Sequence, residues 1–430
     1  MKVLILGSGG REHALAWKLS RSSKVDSIIV CPGNPGMEIT PKVSTDNLSW
    51  KEKDNFIKRI EQLNPDYVVI GPEDPLANGV ADWLREKKIP VVGPSAAAAK
   101  LESSKIFAKN FMQKYDIPTA SFKTVGSVEE GYTYLESLPM EKGIVVKADA
   151  LAGGKGVVVT DKLDLAKSAV YDFLDNKDCS ISTKEILFEE MLRGKELSAF
   201  ALCDGTNYVT LGYACDYKRV FDNDLGPNTG GMGGYQPQGW PSESVKRKID
   251  EVFRKTLLGM EKEGNTFNGF LFVGLMIENE EINVIEYNVR MGDPETQILM
   301  PTLNIDLHDY LKKVANHSLN ESIDISSKQK SCVHIVLTSG GYPSIDKTPL
   351  NTNNPISYPV EYNDPTDGSI HLFFAGVNRN NKNELVNSGG RVMGVSAVGS
   401  TTEEAKELAY SQIKNFNFKG MHYRQDIARI

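Results

Sequence analysis

A chain of 430 residues with 40% apolar and 24% charged side chains has room for roughly two to four domains around sizeable cores. Its formal net charge of −7 argues against a nucleic-acid binder, which carries a basic face, but leaves room for a local basic pocket. The five cysteines, at 31, 179, 203, 215 and 332, include no C-x-x-C pair, so a reducing cytoplasm is expected rather than a zinc module or a disulfide framework; no leader-like segment and no membrane-length apolar run stands out.

The first hundred residues alternate strand and helix. Val3–Leu6 reads as a strand, Gly7–Gly10 as a turn and Glu12–Leu19 as a helix. Ser27–Cys31 is a second strand ending in PGNPG, Asp54–Leu63 a helix, and Tyr67–Ile70 a strand before the loop Pro72–Pro75. Asn78–Lys87 is helical and Pro90–Val92 is a last strand. Short β-branched runs between amphipathic helices predict a parallel, doubly wound sheet. Ligands sit beyond the carboxyl ends of such strands, which here carry GSGGRE, PGNPG and GPEDP.

A Lys-rich helix is expected from Leu101 to Tyr115, broken by Ile117-Pro118. Gly143–Lys147 and Val157–Thr160 then read as strands around a glycine-rich loop, with a helix at Asp164–Leu174. Glu185–Met191 and Leu197–Cys203 read as a hairpin around Arg193-Gly194, and Phe270–Ile277 with Ile282–Tyr287 as another; consecutive strands around short turns predict antiparallel pairing. Leu307–Ala315 is helical, and polar 316–330 marks a boundary. The remainder is mostly strands, at Val333–Thr338, Ile370–Ala375 and Arg391–Ala397. A final helix opens with the capping box Thr401-x-x-Glu404 and continues as the stripe Ala405, Leu408, Ala409, Ile413 and Phe416.

Several runs carry chemistry. GPNTGGMGG at 226–234 has five glycines in nine residues, a composition whose free amides can wrap an anion. EYNVRMGDPE at 286–295 ends an apolar strand with Glu286, Asn288, Arg290 and Asp293. Glu286 and Asn288 are two apart and face one side of that strand, as joint oxygen ligands of one divalent ion would; a solvated strand face has the same alternation. Arg290 is a fork for phosphate. GSGGREH lacks the third glycine and the acidic ribose partner of a dinucleotide fingerprint; its amides could hold a phosphate at a helix N-terminus, or it is a tight strand–helix turn. LAGGKG at 151–156 is not a phosphate-binding loop of the Walker type, since Asp149 and Gly156 occupy its first Gly and its Ser/Thr positions. A glycine flap between antiparallel strands fits better. Lys147 inside a strand is costly unless it meets an anion, the alternative being a snorkelling edge lysine. Glu196 could accept ribose hydroxyls and the 189–192 backbone could read an adenine edge, although a surface hairpin accounts for the same residues. His13 reads as a packed helix residue that could otherwise contact substrate.

With these motifs in place the chain resembles the ATP-grasp superfamily and, within it, the glycinamide ribonucleotide synthetases (phosphoribosylamine–glycine ligases). The matching signatures are LGSGGREHALAWKL, PGNPG, IGPEDPLANGVAD, ESSKIFAKNFM, VVKADALAGGKGV, DYKRVFDNDLGPNTGGMGGY, EYNVRMGDPETQ, SGGYP and SGGRV. The resemblance implies three domains: a doubly wound α/β domain over 1–103, a two-part ATP-grasp α+β domain over 104–324 with a small mobile part at about 120–192, and a small, mostly β domain over 325–430. It implies ATP, glycine and 5-phosphoribosylamine as substrates, a glycyl-phosphate intermediate, Mg²⁺ or Mn²⁺, and a cytoplasmic monomer with neither nucleic-acid nor membrane partner.

Residue by residue, the resemblance assigns ATP to Lys105, Lys147, Glu189, Glu190, Leu192 and Glu196, with Gly153, Gly154 and Gly156 closing over the phosphates. It assigns the metal to Glu286 and Asn288, and catalysis to Arg290, Lys155 and Asp293. Gly9, Gly10, Arg11, Glu12, Asn34, Asp216, Lys218, Arg219, Asn228, Thr229, Gly230, Gly231 and Met232 fall to the glycine and ribosylamine pocket, together with the late GGYP residues. Cys215, Ala150, Gly153 and Met291 depart from the usual Gln, Gly, Ala and Phe. None of these removes a charge the chemistry needs. No fused later purine enzyme is expected. The other readings are a different ATP-grasp enzyme, such as a carboxylase, and a nucleotide sensor without turnover.

Overall fold

The structure is a computed structural model that describes residues 1–151, 156–179, 181–326, 330–344, 348–359 and 369–429. Five short strands form a parallel sheet in the spatial order Val43–Thr45, Ser27–Pro32, Lys2–Gly7, Tyr67–Ile70 and Val91–Val92. Val3, Leu4 and Ile5 are fully buried because helices cover both faces. The order reverses beside Lys2–Gly7. This opens a crevice past the ends of Lys2–Gly7 and Tyr67–Ile70, where GSGGRE and GPEDP lie.

Local readings here needed three corrections. PEDP is not a loop: it opens the helix Glu73–Ala77, since Pro75 lies in the first turn, where proline costs no hydrogen bond. The following helix runs Val80–Glu86, after Gly79 turns left-handed at φ 79°. The Lys-rich helix is two, Lys100–Ser103 and Lys105–Lys114. Ser104 is extended between them, and its Oγ accepts from the Phe107 amide at 3.0 Å as the second helix's cap.

A second sheet is antiparallel, ordered Phe122–Val125, Ile186–Glu190, Ile144–Ala148 and Val157–Thr160. The helices Val128–Glu136 and Leu163–Leu174 pack on it around Val146, Val170 and Phe188. The glycine-rich loop joins its last two strands, as expected. The hairpin expected over 185–203 does not form. Ile186–Glu190 stays in this small sheet, whereas Lys195–Asp204 pairs with Tyr208–Asp216 and Asn268–Glu278 in the large one. Gly194 (φ 135°) makes that crossing; a Cβ there would lie 2.3 Å from the Ile277 carbonyl oxygen.

The large sheet runs Glu281–Asn288, Asn268–Glu278, Lys195–Asp204, Tyr208–Asp216, Gly233–Tyr235, Ser331–Thr338, Arg391–Gly399 and Ile370–Phe374, with Ile323–Asp324 paired beside Tyr208–Asp216. The expected hairpin at 270–287 is present. Its register steps between Val284 and Glu286, leaving Ile285 as an extra residue that turns its carbonyl aside. The last helix, Thr402–Ile413, is capped as expected by Thr401, whose Oγ1 accepts from the Glu404 amide, but Glu404 Oε2 takes the Ser400 amide rather than the Thr401 amide that a capping box uses. Among the described residues no helix is long and apolar enough to cross a membrane.

Candidate active site

A cleft of about 1200 Å³ lies where the three sheets meet. One side of it is built on lysines. Lys147, near the end of Ile144–Ala148, is buried, with Nζ 2.7 Å from Glu189 Oε1 and 3.3 Å from the displaced Ile285 carbonyl. It is no snorkelling edge lysine. The second Glu189 oxygen takes Lys109 Nζ at 2.9 Å, and Lys109 also donates to Thr119 Oγ1. Burial pushes the Lys109 ammonium down to about 8. Lys105 donates to the Ala150 carbonyl at 2.8 Å, at the foot of the glycine-rich loop. Gly156 lines the cleft; Gly153, Gly154 and Lys155 lie outside the described residues. Glu190, Leu192 and Glu196 line the same wall, where Glu196 pairs with Lys218 at 2.8 Å and Asp216 lies 3.9 Å from Lys218.

Opposite them stands the end of Glu281–Asn288. Burial pushes the Glu286 carboxyl up, but Lys218, Lys147 and Lys105 outweigh it and hold Glu286 below the usual carboxylate range. Asn288 Oδ1 accepts from Arg290 Nη2 at 3.0 Å. Two carboxylates fix the rest of the Arg290 guanidinium: Glu102 Oε1 at 2.8 Å from Nη2 and Glu73 Oε2 at 3.3 Å from Nε. Glu102 also accepts from the Val289 amide at 2.7 Å. Glu73 and Arg11, from the crevice of the parallel sheet, stand 4.0 Å apart. Burial likewise raises Asp293, yet Arg391 and Arg11 outweigh it and keep Asp293 low; its Oδ2 lies 3.3 Å from Arg391 and its Oδ1 accepts from Gln297 at 2.7 Å.

The glycine run behaves differently from a free amide cradle. The amides of Thr229, Gly230, Gly231 and Met232 already donate to Lys218 O, Tyr342 Oη, Thr229 Oγ1 and Tyr217 O. Its glycines serve close approach instead: a Cβ on Gly231 (φ 114°) would lie 2.5 Å from Pro294 Cδ. Asn228, Thr229 and Gly230 line the cleft with Asp216, Lys218 and Arg219, whereas Gly231 and Met232 pack behind them. In GSGGREH only Arg11 reaches the cleft. Glu12 accepts from the Gly9 amide and from Arg11 Nε, in a recess that a Cβ on Gly7 or Gly71 would fill. Gly10 abuts Gln297. Asn34 is used up on Ser8 O, Phe374 O and the Gly36 amide, outside the cleft. His13 is packed, its Nδ1 accepting from the Phe374 amide. Sequence reasoning missed Glu73, Glu102, Lys109, Glu295 and Arg391 as cleft residues. All five lie inside quoted motifs, but only the folded chain shows which of their side chains turn inward.

Among the described residues no group of three or more His, Cys, Asp and Glu side chains could hold a metal ion. Glu286 and Asn288 offer one charged and one neutral oxygen, and the Asn288 oxygen keeps a lone pair beyond its bond to Arg290. That sparse pair fits a divalent ion that completes its shell from phosphate oxygens.

A small antiparallel sheet facing a larger one across a lysine-lined cleft defines the ATP-grasp class of nucleotide-using enzymes. The biotin carboxylase domain of the Hydrogenobacter thermophilus 2-oxoglutarate carboxylase shares this fold at TM-score 0.70 and 14% identity, over 98% of this chain and 91% of that one. The models of the phosphoribosylglycinamide synthetase N domain, ATP-grasp (A) domain and C domain match residues 1–102, 103–296 and 332–430, and the chain belongs to this family. The phosphoribosylamine–glycine ligase of Neisseria meningitidis serogroup A is 39% identical over 100% of this chain and 99% of that protein. That of Escherichia coli O157:H7 is 37% identical over 99% and 98%. The crystal structure of the Thermotoga maritima ligase superposes at TM-score 0.84 with 35% identity, over 100% of both chains.

Proposed function

We infer that the chain is an ATP-dependent ligase that joins glycine to 5-phosphoribosylamine, giving glycinamide ribonucleotide, ADP and phosphate in purine synthesis. Full-length similarity to phosphoribosylamine–glycine ligases supports the reaction. One observation carries the site: Lys105, Lys147 and Glu286, Arg11 and Glu73 of the parallel sheet, and the late residue Arg391 all converge on one cleft. A triphosphate and two further substrates need a room of that kind.

An amine cannot displace oxide from a carboxylate. A glycine carboxylate oxygen therefore attacks the γ-phosphorus, the bond to the β-phosphate oxygen breaks, and ADP leaves. The ribosylamine nitrogen then attacks the glycyl carbonyl carbon, phosphate departs with its oxygen, and the nitrogen gives up a proton. No protein nucleophile is required; catalysis is alignment and charge neutralisation. Lys105 and Lys147 face the triphosphate. Arg290, fixed by Glu73 and Glu102 before substrate arrives, presents a guanidinium that needs no reorganisation as phosphoryl charge develops. Glu286 and Asn288 would hold magnesium or manganese, which supplies further neutralisation of phosphate charge. By the same resemblance Asp293 and Lys155, the latter outside the described residues, are the other two residues proposed for catalysis. We take the protein to act as a cytoplasmic monomer, organised as 1–103, 104–324 and 325–430.

The test is ADP release with glycine and phosphoribosylamine formed in situ from ribose 5-phosphate and ammonia. Release that needs both, in equal amount with glycinamide ribonucleotide, is expected. Release with bicarbonate in place of glycine would instead make the chain a carboxylase, and nucleotide binding without turnover would make it a sensor.

A further inference from the structure

Residues 217–228 leave the large sheet as a two-stranded ribbon, Arg219–Phe221 against Leu225–Asn228, and return as the glycine run that lines the cleft. An isolated ribbon of this size is marginal in water. This one also places Asn223, Asp224 and Gly226 at positive φ and leaves Phe221 and Leu225 more than half exposed. Little within the ribbon explains why it holds one shape.

The explanation lies some two hundred residues later in the sequence. Arg424 is completely buried. Its guanidinium sits 4.7 Å from the Tyr217 ring centroid, donates to the Arg219 carbonyl at 3.1 Å and pairs with Asp224 at 2.8 Å. Around it, Asp426 accepts from the Asn223 amide, Asp222 accepts from the Gln425 amide, and the His422 ring bonds the Val220 carbonyl. Asn223 and Asp224, the two non-glycine residues at positive φ in the turn, are both gripped by this segment. The segment is held in turn by the last helix: Tyr410 donates to the Arg424 carbonyl and accepts from the Ile427 amide. Arg219 and Asp224 on the ribbon, and Arg429 just past the segment, all reach the cleft wall.

We propose that residues 422–427 are a splint for the substrate-side ribbon, and that Arg424 is a positioning residue for glycine and phosphoribosylamine but not for ATP. The selectivity follows from geometry. The nucleotide side is built on Lys105, Lys109, Lys147 and Glu189, which make no bond to the splint, and Glu196 meets the ribbon only through its half-exposed pair with Lys218. The assignment rests on the ligase reading above.

The experiment compares Asp222→Ala, which removes only the bond to the Gln425 amide, and Arg424→Leu, which keeps volume but loses every polar grip. Both are measured in steady-state kinetics and in timed trypsin digestion. KM for glycine or phosphoribosylamine should rise, about threefold in Asp222→Ala and tenfold or more in Arg424→Leu, with KM for ATP within twofold of the parent. Cleavage after Lys218 or Arg219 should quicken in the same order. Unchanged substrate KM values with parental digestion, or a parallel rise for ATP, would overturn the proposal. If Arg424→Leu does not fold, Asp222→Ala decides. An unaltered protein that never turns over glycine removes the ligase reading, and the digestion rates then still test the splint.

Discussion

Arg290 shows how much a single side chain is asked to hold. Its guanidinium meets Asn288, Glu102 and Glu73 at once, so the cation expected to face phosphate already carries two carboxylates. Those carboxylates fix its plane and keep it protonated. Arg290→Ala should lower kcat by about 10²–10³, the loss typical of removing one preorganised donor, with a much smaller change in ATP affinity; equal losses in the two would contradict a transition-state role. A stability loss of a few kcal/mol is also expected, because Glu102, already pushed up by burial, loses the cation that compensates it. The buried histidines make a different prediction. His13 and His334 are each lowered to about 3, chiefly by burial. Folded, they stay neutral to about that pH; unfolded, they take protons near 6.5. The unfolded state therefore binds more protons, and stability should fall as pH drops from about 6.5. Below the usual carboxylate range Glu286 and Asp293, both held low, add their own loss. Urea midpoints at pH 7.5, 6 and 5 should decline steadily, and less steeply in His334→Gln.

At the scale of elements, what could be read from the sequence was local pattern, and what could not was partnership. Strand and helix runs emerged because apolar spacing reports burial directly. Glu286 and Asn288 could be singled out from spacing alone, since residues two apart on a strand face one side, and both line the cleft. The misread hairpin at 185–203 had every local mark of one, yet its strands belong to different sheets. Nothing in a short apolar run states which sheet it joins. The glycine run misled for a related reason. Composition announced free amides, and only the fold supplied Lys218 O, Tyr217 O and Tyr342 Oη to occupy them. Ser104 shows how little signal separates one helix from two. Its hydroxyl caps Lys105–Lys114 and also donates to Asp149 Oδ2 at 3.1 Å, while Asp149 Oδ1 accepts from the Ile106 amide. The cap is thus tied to the strand leading into the glycine-rich loop. Ser104→Ala should cost about 1 kcal/mol, in the range of a lost helix cap, seen as a lower thermal midpoint.

For the whole molecule, the cleft is a meeting of three parts, none of which holds a complete site. The parallel sheet brings Arg11 and Glu73, the paired antiparallel sheets bring the lysines and Glu286, and the late strands bring Arg391. Arg391 donates to Gly230 O and Asp293 O, and so fastens the last part to the middle one. The large sheet carries the same dependence in its backbone. Three residues, Gly233–Tyr235, bridge Tyr208–Asp216 to Ser331–Thr338, whose eight residues are all buried. Express residues 325–430 alone, and Ser331–Thr338 would become an eight-residue border with no neighbour to zip onto on that side. Unguarded borders of this kind recruit other chains, so such a fragment should precipitate or need rescue by the missing piece supplied in trans. Modular though its parts look, the protein is not a kit from which one piece can be lifted out whole.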